Sequence, residues 1–236
     1  MEIWTKIKKR LKKVKFIKKA VDNYYKKQND KLIKLTHKYG YDINNKIYAL
    51  LKGKLDCFAL CGTLLGIVRE NKFIDYDNDM DYGIVIDSEK DWDVLYKTLT
   101  ASKFKFSHYF EHEGKINEMA FRYKGVHVDF FGVYVEDNVA RFSSFYIAPG
   151  VKYLKDQGST LVVEFDYKAG SFEKNVKDSI FMIPNCYNEI LIANYGDNYM
   201  TPIKGIETGS SCGNRKFYVD KISSLKRTFV GVNNKE

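Results

Sequence analysis

Apolar residues recur at spacings of three and four along the first third of the N-terminal half. Ile3, Ile7, Leu11, Val14, Ile17 and Val21 stack on one face of a helix, with Trp4 and Phe16 flanking them. Tyr24, Leu32 and Leu35 extend the stripe, so residues 3–35 are predicted as one long helix, with Gly40 as its stop. A second helix is expected over 42–54, with Ile43, Ile47, Leu50 and Leu51 on one side. Residues 55–61 then read as a short apolar strand. Gly62-Thr63 opens a further helix to Glu70, with Leu64, Leu65 and Val68 inward. Residues 79–86 alternate apolar and polar, as a half-buried strand does. Ser88 is the expected N-cap of a helix carrying Trp92, Leu95, Tyr96 and Leu99. Strands are predicted over 103–110, 117–123, 126–135, 141–147 and 160–167, antiparallel to one another, and a short helix over 187–194 closed by Gly196.

This order of elements places the chain in the α+β class, with a mixed sheet flanked by helices. It divides into a helix over 1–40, a catalytic body over 41–204 and a polar C-terminal extension over 205–236. With 44% hydrophobic and 15% aromatic residues, the chain can bury a substantial core.

The net charge of +9 suggests nucleic acid until it is located. Residues 1–20 hold nine Lys/Arg and one acid, Glu2, so they carry +8 and the rest of the chain carries +1. A basic groove across the body is therefore not expected. The basic helix has three readings: docking on an anionic membrane surface through residues 3–35, packing on the body with its lysines in water, or contact with nucleic acid phosphates. No run of 18 apolar residues occurs, and no apolar segment follows the basic start as in a secretory signal. The expected location is cytoplasmic, peripheral at the inner face of the plasma membrane. Cys57, Cys61, Cys186 and Cys212 have no zinc-type spacing and read as free thiols of a reducing compartment.

The chemistry concentrates in Asp77-Asn78-Asp79-Met80-Asp81. Strand alternation points Asp79 and Asp81 to one face, together with Asp77 if the strand has begun. Carboxylates this close repel, and a divalent cation, Mg²⁺ or Mn²⁺, is the natural compensation. Two ions about 3.5–4 Å apart would suit an in-line displacement. An EF-hand is a poor match, because Ser88 falls where its final Glu belongs and Tyr82 where its Gly belongs. A further acid, Asp129, sits in His127-Val128-Asp129-Phe130-Phe131 and completes a metal set if its strand lies beside that of Asp79; otherwise it bonds to backbone or an arginine. Upstream, Gly62 and Thr63 at a helix start offer N–H groups and a hydroxyl to a phosphate, with Arg69 about two turns on.

These segments together resemble the LicD family, which includes bacterial phosphocholine transferases and fukutin-related proteins. The resemblance rests on Gly62-Thr63-Leu64-Leu65-Gly66 with Arg69, on Tyr76-Asp77-Asn78-Asp79-Met80-Asp81, on His127 to Phe131, and on Tyr195-Gly196-Asp197-Asn198-Tyr199-Met200-Thr201-Pro202. Tyr76 stands where the family usually has Trp, Asp75 where it has Pro, and Asn78 where many relatives carry an acid. The resemblance implies a nucleotidyltransferase-like fold of the polymerase-beta type. It also implies metal-dependent transfer of a phosphorylated alcohol from a CDP-activated donor to a hydroxyl of a glycan or lipid-linked glycan, releasing CMP. Asp77, Asp79, Asp81 and Asp129 are then the expected metal ligands. Asp79, Asp81 and Asp129 are the catalytic set, and Asp129 also accepts the acceptor's proton. Gly62, Thr63 and Arg69 are expected on the donor pyrophosphate, and Tyr195 and Asp197 either at the pocket wall or in a helix cap and turn. Two alternatives are a nucleotidyltransferase acting on a small molecule or protein, and a non-catalytic membrane-peripheral scaffold.

Overall fold

The computed structural model describes residues 2–202 and 215–231. Its first element, α1, runs unbroken over Glu2–Leu51. The expected stop at Gly40 is absent, and the two helices predicted around it are one. Gly40 has a packing role instead: a Cβ there would lie 2.7 Å from the ring of Phe73, which is fully buried against the helix. The buried stripe of α1 begins only at Thr36 and continues through Gly40, Ile43, Asn44, Ile47 and Leu51. Every residue from 17 to 31 is exposed.

The body follows as β1 (Cys57–Ala59), α2 (Cys61–Arg69), β2 (Asp79–Val85), α3 (Lys90–Ala101), β3 (Lys105–His112), β4 (Lys115–Tyr123), β5 (Val126–Glu136), β6 (Val139–Tyr146), β7 (Gln157–Asp166), β8 (Ser171–Val176), β9 (Ser179–Pro184), α4 (Tyr187–Tyr195) and β10 (Arg215–Lys226). One eight-stranded sheet has the order β1-β2-β5-β4-β3-β10-β7-β6, and β6 also pairs with β5, so six of the strands form a closed circuit. Among the described strands β2 and β5 are the parallel pair; the other pairings are antiparallel. Tight hairpins make the β4–β5 and β5–β6 steps, where Lys124-Gly125 and Asp137-Asn138 adopt the positive φ that such turns need. The mixed sheet and its helices agree with the α+β class.

Three features depart from the sequence reading. The hairpin β8–β9 was not predicted. It is clamped to α1 by Asn44, whose Nδ2 donates to Ser179 Oγ (2.8 Å) and to the Ile180 carbonyl (2.7 Å). β10 lies between β3 and β7, so residues 215–226 belong to the main sheet rather than to a polar appendage. Just beyond it, Phe229 packs on Tyr96 with ring centroids 4.8 Å apart. Residues 203–214 and 232–236, with Cys212, lie outside the described residues. Finally, Glu89 rather than Ser88 caps α3, and Asp91 Oδ2 accepts the N–H groups of Asp87 (2.9 Å) and Ser88 (2.8 Å).

Trp92, Leu95 and Leu99 of α3 and Ile43 and Ile47 of α1 pack on one face of the sheet, over Met80, Tyr82, Ile84, Val128 and Phe130. Tyr82 stacks on Phe130 (5.4 Å between centroids) and donates its hydroxyl to Asn44 Oδ1 (3.0 Å). Both strands that carry the aspartates are thereby fixed from behind. Among the described residues no helix is long and apolar enough to cross a membrane.

Candidate active site

The parallel register of β2 and β5 sets Asp79 opposite His127 and Asp81 opposite Asp129. The alternation that buries Met80 (0% exposed) and Tyr82 (3%) turns Asp79 and Asp81 to the other side, where Asp129 meets them. One carboxylate oxygen from each of the three lies within 4.8 Å of the others. A local motif and a residue almost fifty positions later are thus joined by one strand pairing.

Asp81 is gripped at both ends by the strand–helix junction. Cys61, with φ of 44°, makes a sharp left-handed turn into α2. The Gly62 N–H then donates to Asp81 Oδ2 (3.2 Å), and Thr63 Oγ1 accepts the Asp81 N–H (2.9 Å). Thr63 is 1% exposed, so its hydroxyl serves the protein interior. In this structure Gly62 and Thr63 position Asp81, and Gly62 also lines the cleft.

Asp77 precedes the strand and stands outside the group of three. Its carboxylate lies against Gly62, where an added Cβ would come 3.0 Å from Oδ1. Only glycine leaves that space. Its Oδ2 is buried without a hydrogen-bond partner, an arrangement costly for a charged group in the absence of a cation or proton.

The aspartates floor a cleft of about 680 Å³, within the range of small-molecule sites. Glu118 of β4, 7% exposed, is a further carboxyl of this cleft. The sequence reading missed it, although the signal was the one that found Asp129: a lone acid in an apolar strand, here beside Met119, Ala120 and Phe121. Asn29 of α1, Tyr76, Asn194 and the stacked pair Phe110–Phe145 (4.3 Å) complete much of the wall.

Asp77, Asp79, Asp81, Glu118 and Asp129 all line the cleft, and among the described residues no Lys, Arg or His does. Burial is the main force raising each of their pKa values, and mutual repulsion adds to it at Asp77, Asp81, Glu118 and Asp129. Asp77 is pushed up to about 7, with Asp79 the second cause and Arg69 opposing. Asp129 is likewise raised to about 7 by burial and Asp79, against the pull of Arg122. Asp81 and Glu118 stand well above the ordinary carboxylate range. Hard oxygen donors, three of them converging, fit a divalent ion such as Mg²⁺.

The remaining predicted residues separate. Tyr195 lines the cleft. Asp197 is exposed in the turn after α4, behind the left-handed Gly196 (φ 86°). Arg69 does not line the cleft; its guanidinium donates to Glu70 Oε1 (3.0 and 2.6 Å) and to the Tyr199 carbonyl (3.3 Å), tying α2 to the segment after α4. Cys57 and Cys186 are free thiols, Cys61 Sγ accepts from Asn194 Nδ2 (3.7 Å), and burial pushes the Cys57 thiol well up.

No curated protein matches the chain. Residues 54–156 match the family model described as LicD/FKTN/FKRP, nucleotidyltransferase domain. The match begins just before β1 and ends just before β7, and so contains the strand–helix junction and all five carboxyl groups of the cleft. Over that segment the chain is similar to the nucleotidyltransferase domain of the LicD family.

Proposed function

We propose that the chain is a divalent-cation-dependent phosphotransferase that moves a phosphorylated alcohol from a CDP-activated donor to a hydroxyl of a cell-surface glycan, releasing CMP. Similarity to that family model over residues 54–156 supports a transferase that modifies glycans. The observation that carries the finer reading is the convergence of Asp79, Asp81 and Asp129 through the parallel pairing of β2 and β5. A strand–turn–helix unit followed by that pair supports a nucleotidyltransferase-like arrangement.

Asp79, Asp81 and Asp129 would hold the ion, Mg²⁺ or Mn²⁺, with Asp77 and Glu118 beside them. When bound, the ion offsets the charge that develops on the phosphoryl oxygens and the leaving group. The chain's own residues supply order. Gly62 and Thr63 fix Asp81, and the apolar backing of β2 and β5 fixes both strands, so little reorganisation is needed when charge develops. The acceptor oxygen forms a bond to the alcohol-bearing phosphorus of the donor. The bond from that phosphorus to the bridging oxygen breaks, and CMP leaves with the electron pair. The hydroxyl proton passes to Asp129, a carboxylate on the floor of the cleft. The aromatic wall of Phe110, Phe145 and Tyr195 offers apolar surface to base and alcohol.

The test is CMP release from a panel of CDP-alcohols with Mg²⁺ and glycan acceptors. Asp79→Ala and Asp81→Ala should each lower turnover by about 10³-fold, the scale of several kcal/mol of charge stabilisation. Undiminished turnover in both variants would sink the mechanism. A product carrying a nucleoside monophosphate, with no CMP released, would assign nucleotidyl transfer instead.

A further inference from the structure

The two ends of α1 live in different surroundings. From Thr36 onward one face is buried in the body, while residues 17–31 project with every side chain exposed. The exposed stretch is not uniformly polar. Ile17, Val21 and Tyr24, at spacings of four and three, are 51%, 45% and 60% exposed, and Tyr25 beside them is 66% exposed. In the sequence upstream, Ile3, Ile7, Leu11 and Val14 repeat the same spacing, and residues 1–20 carry nine Lys/Arg against Glu2. Among the described residues nothing covers the part of this face made by Ile17, Val21 and Tyr24.

Three kinds of partner would cover it, and charge separates them. A second copy of the helix would bring two sets of nine basic residues together, which like-charge repulsion disfavours. Nucleic acid phosphates would satisfy the lysines and leave the apolar residues in water. An anionic lipid surface satisfies both at once: aliphatic and aromatic side chains enter the headgroup boundary, and lysines meet the phosphates.

The exposed stretch is joined to the cleft. Asn29, at its foot, lines the cleft, and its Oδ1 accepts a hydrogen bond from Nδ2 of Asn78 (2.5 Å), the residue between Asp77 and Asp79. Ile17 and Asn29 are separated by about 18 Å of helix. Tyr76, 66% exposed, stands on the same rim. We infer that the N-terminal stretch of α1 is a docking element for an anionic phospholipid surface, and that its rigid continuation through Asn29 holds the carboxylate cleft beside that surface. The inference stands independently of the reaction proposed above.

The experiment is co-sedimentation of the full chain with phosphatidylcholine vesicles, with and without phosphatidylglycerol. The chain should pellet with the anionic vesicles alone and be released by added salt. Lys18→Ala and Lys19→Ala should each weaken partitioning about fivefold, and Ile17→Asp with Val21→Asp should abolish it. These positions are exposed, so thermal unfolding of the variants should match the parent. Asp79→Ala should bind vesicles as the parent does, which separates this inference from the catalytic one. Failure to bind anionic vesicles, equal binding to neutral ones, retention on an RNA oligonucleotide in place of vesicles, or burial of the stripe in a salt-resistant dimer would each overturn it.

Discussion

The two faces of the β2–β5 pair are built from the same two strands and do opposite work. On one face Met80, Tyr82, Ile84, Val128 and Phe130 are buried against helices α1 and α3. On the other, Asp79, Asp81 and Asp129 gather acid groups around a cleft whose wall, among the described residues, carries no basic side chain. The apolar face gains free energy on folding, and the acidic face gives some back, because buried carboxyls resist ionisation. Strand alternation couples the two: a register slip by one residue would bury the aspartates and expose the aromatic residues. The comparison teaches that the site's strain is carried by the packing directly behind it.

The largest expected effect comes from breaking the apolar face. Phe130→Ala removes a ring packed between Tyr82 and Phe121, and should cost about 3–5 kcal/mol in denaturant unfolding. A cost below about 1 kcal/mol would show that the backing is not what holds the strands.

The acidic face should respond to pH in the opposite sense to ordinary salt-bridged carboxylates. Asp77 and Asp129 are both pushed up to about 7, above their unfolded values. Their contribution to stability is then complete below the unfolded carboxylate range, near about pH 4, and is lost as pH rises through about 7. With chelator present, Tm should fall across this window, and Mg²⁺ should raise it most at the alkaline end. A Tm in chelator that climbs over the same window would contradict the assignment.

A smaller effect is expected at the junction between the faces. Thr63→Val leaves the buried Asp81 N–H unpaired and should cost about 1–3 kcal/mol in thermal or denaturant unfolding. It should also weaken metal affinity, since Asp81 loses one of its two anchors. Unchanged affinity would show that Gly62 alone positions the carboxylate.

Much of this was legible in the sequence, for physical reasons that also mark where legibility ended. The phase of Asp79 and Asp81 follows from a period of two over a short segment, and Asp129 stood out as a charge in an apolar strand. The parallel pairing that unites them is a long-range contact, which the sequence allowed but did not specify. Glu118 carried the same signal as Asp129 and was missed because its neighbour Asn117 blurred the alternation. Thr63 and Arg69 have residue types suited to phosphate, and only their observed partners assign them to the protein interior. Gly40 looked like a helix stop, yet the glycine serves the ring of Phe73, a residue thirty-three positions away. β10 was unreadable for a related reason: its partners β7 and β3 are distant in sequence.

The central claim is that Asp79, Asp81 and Asp129 form a divalent-cation site. Titration of the metal-free protein with Mn²⁺, followed by calorimetry or by loss of the free-ion paramagnetic signal, tests it without reference to any substrate. The parent should bind saturably in competition with Mg²⁺. Asp79→Asn, Asp81→Asn and Asp129→Asn should each weaken binding by at least about tenfold, while each variant unfolds in chelator at or above the parent's temperature. Parent-like binding in all three variants, or no saturable binding by the parent, would contradict the account.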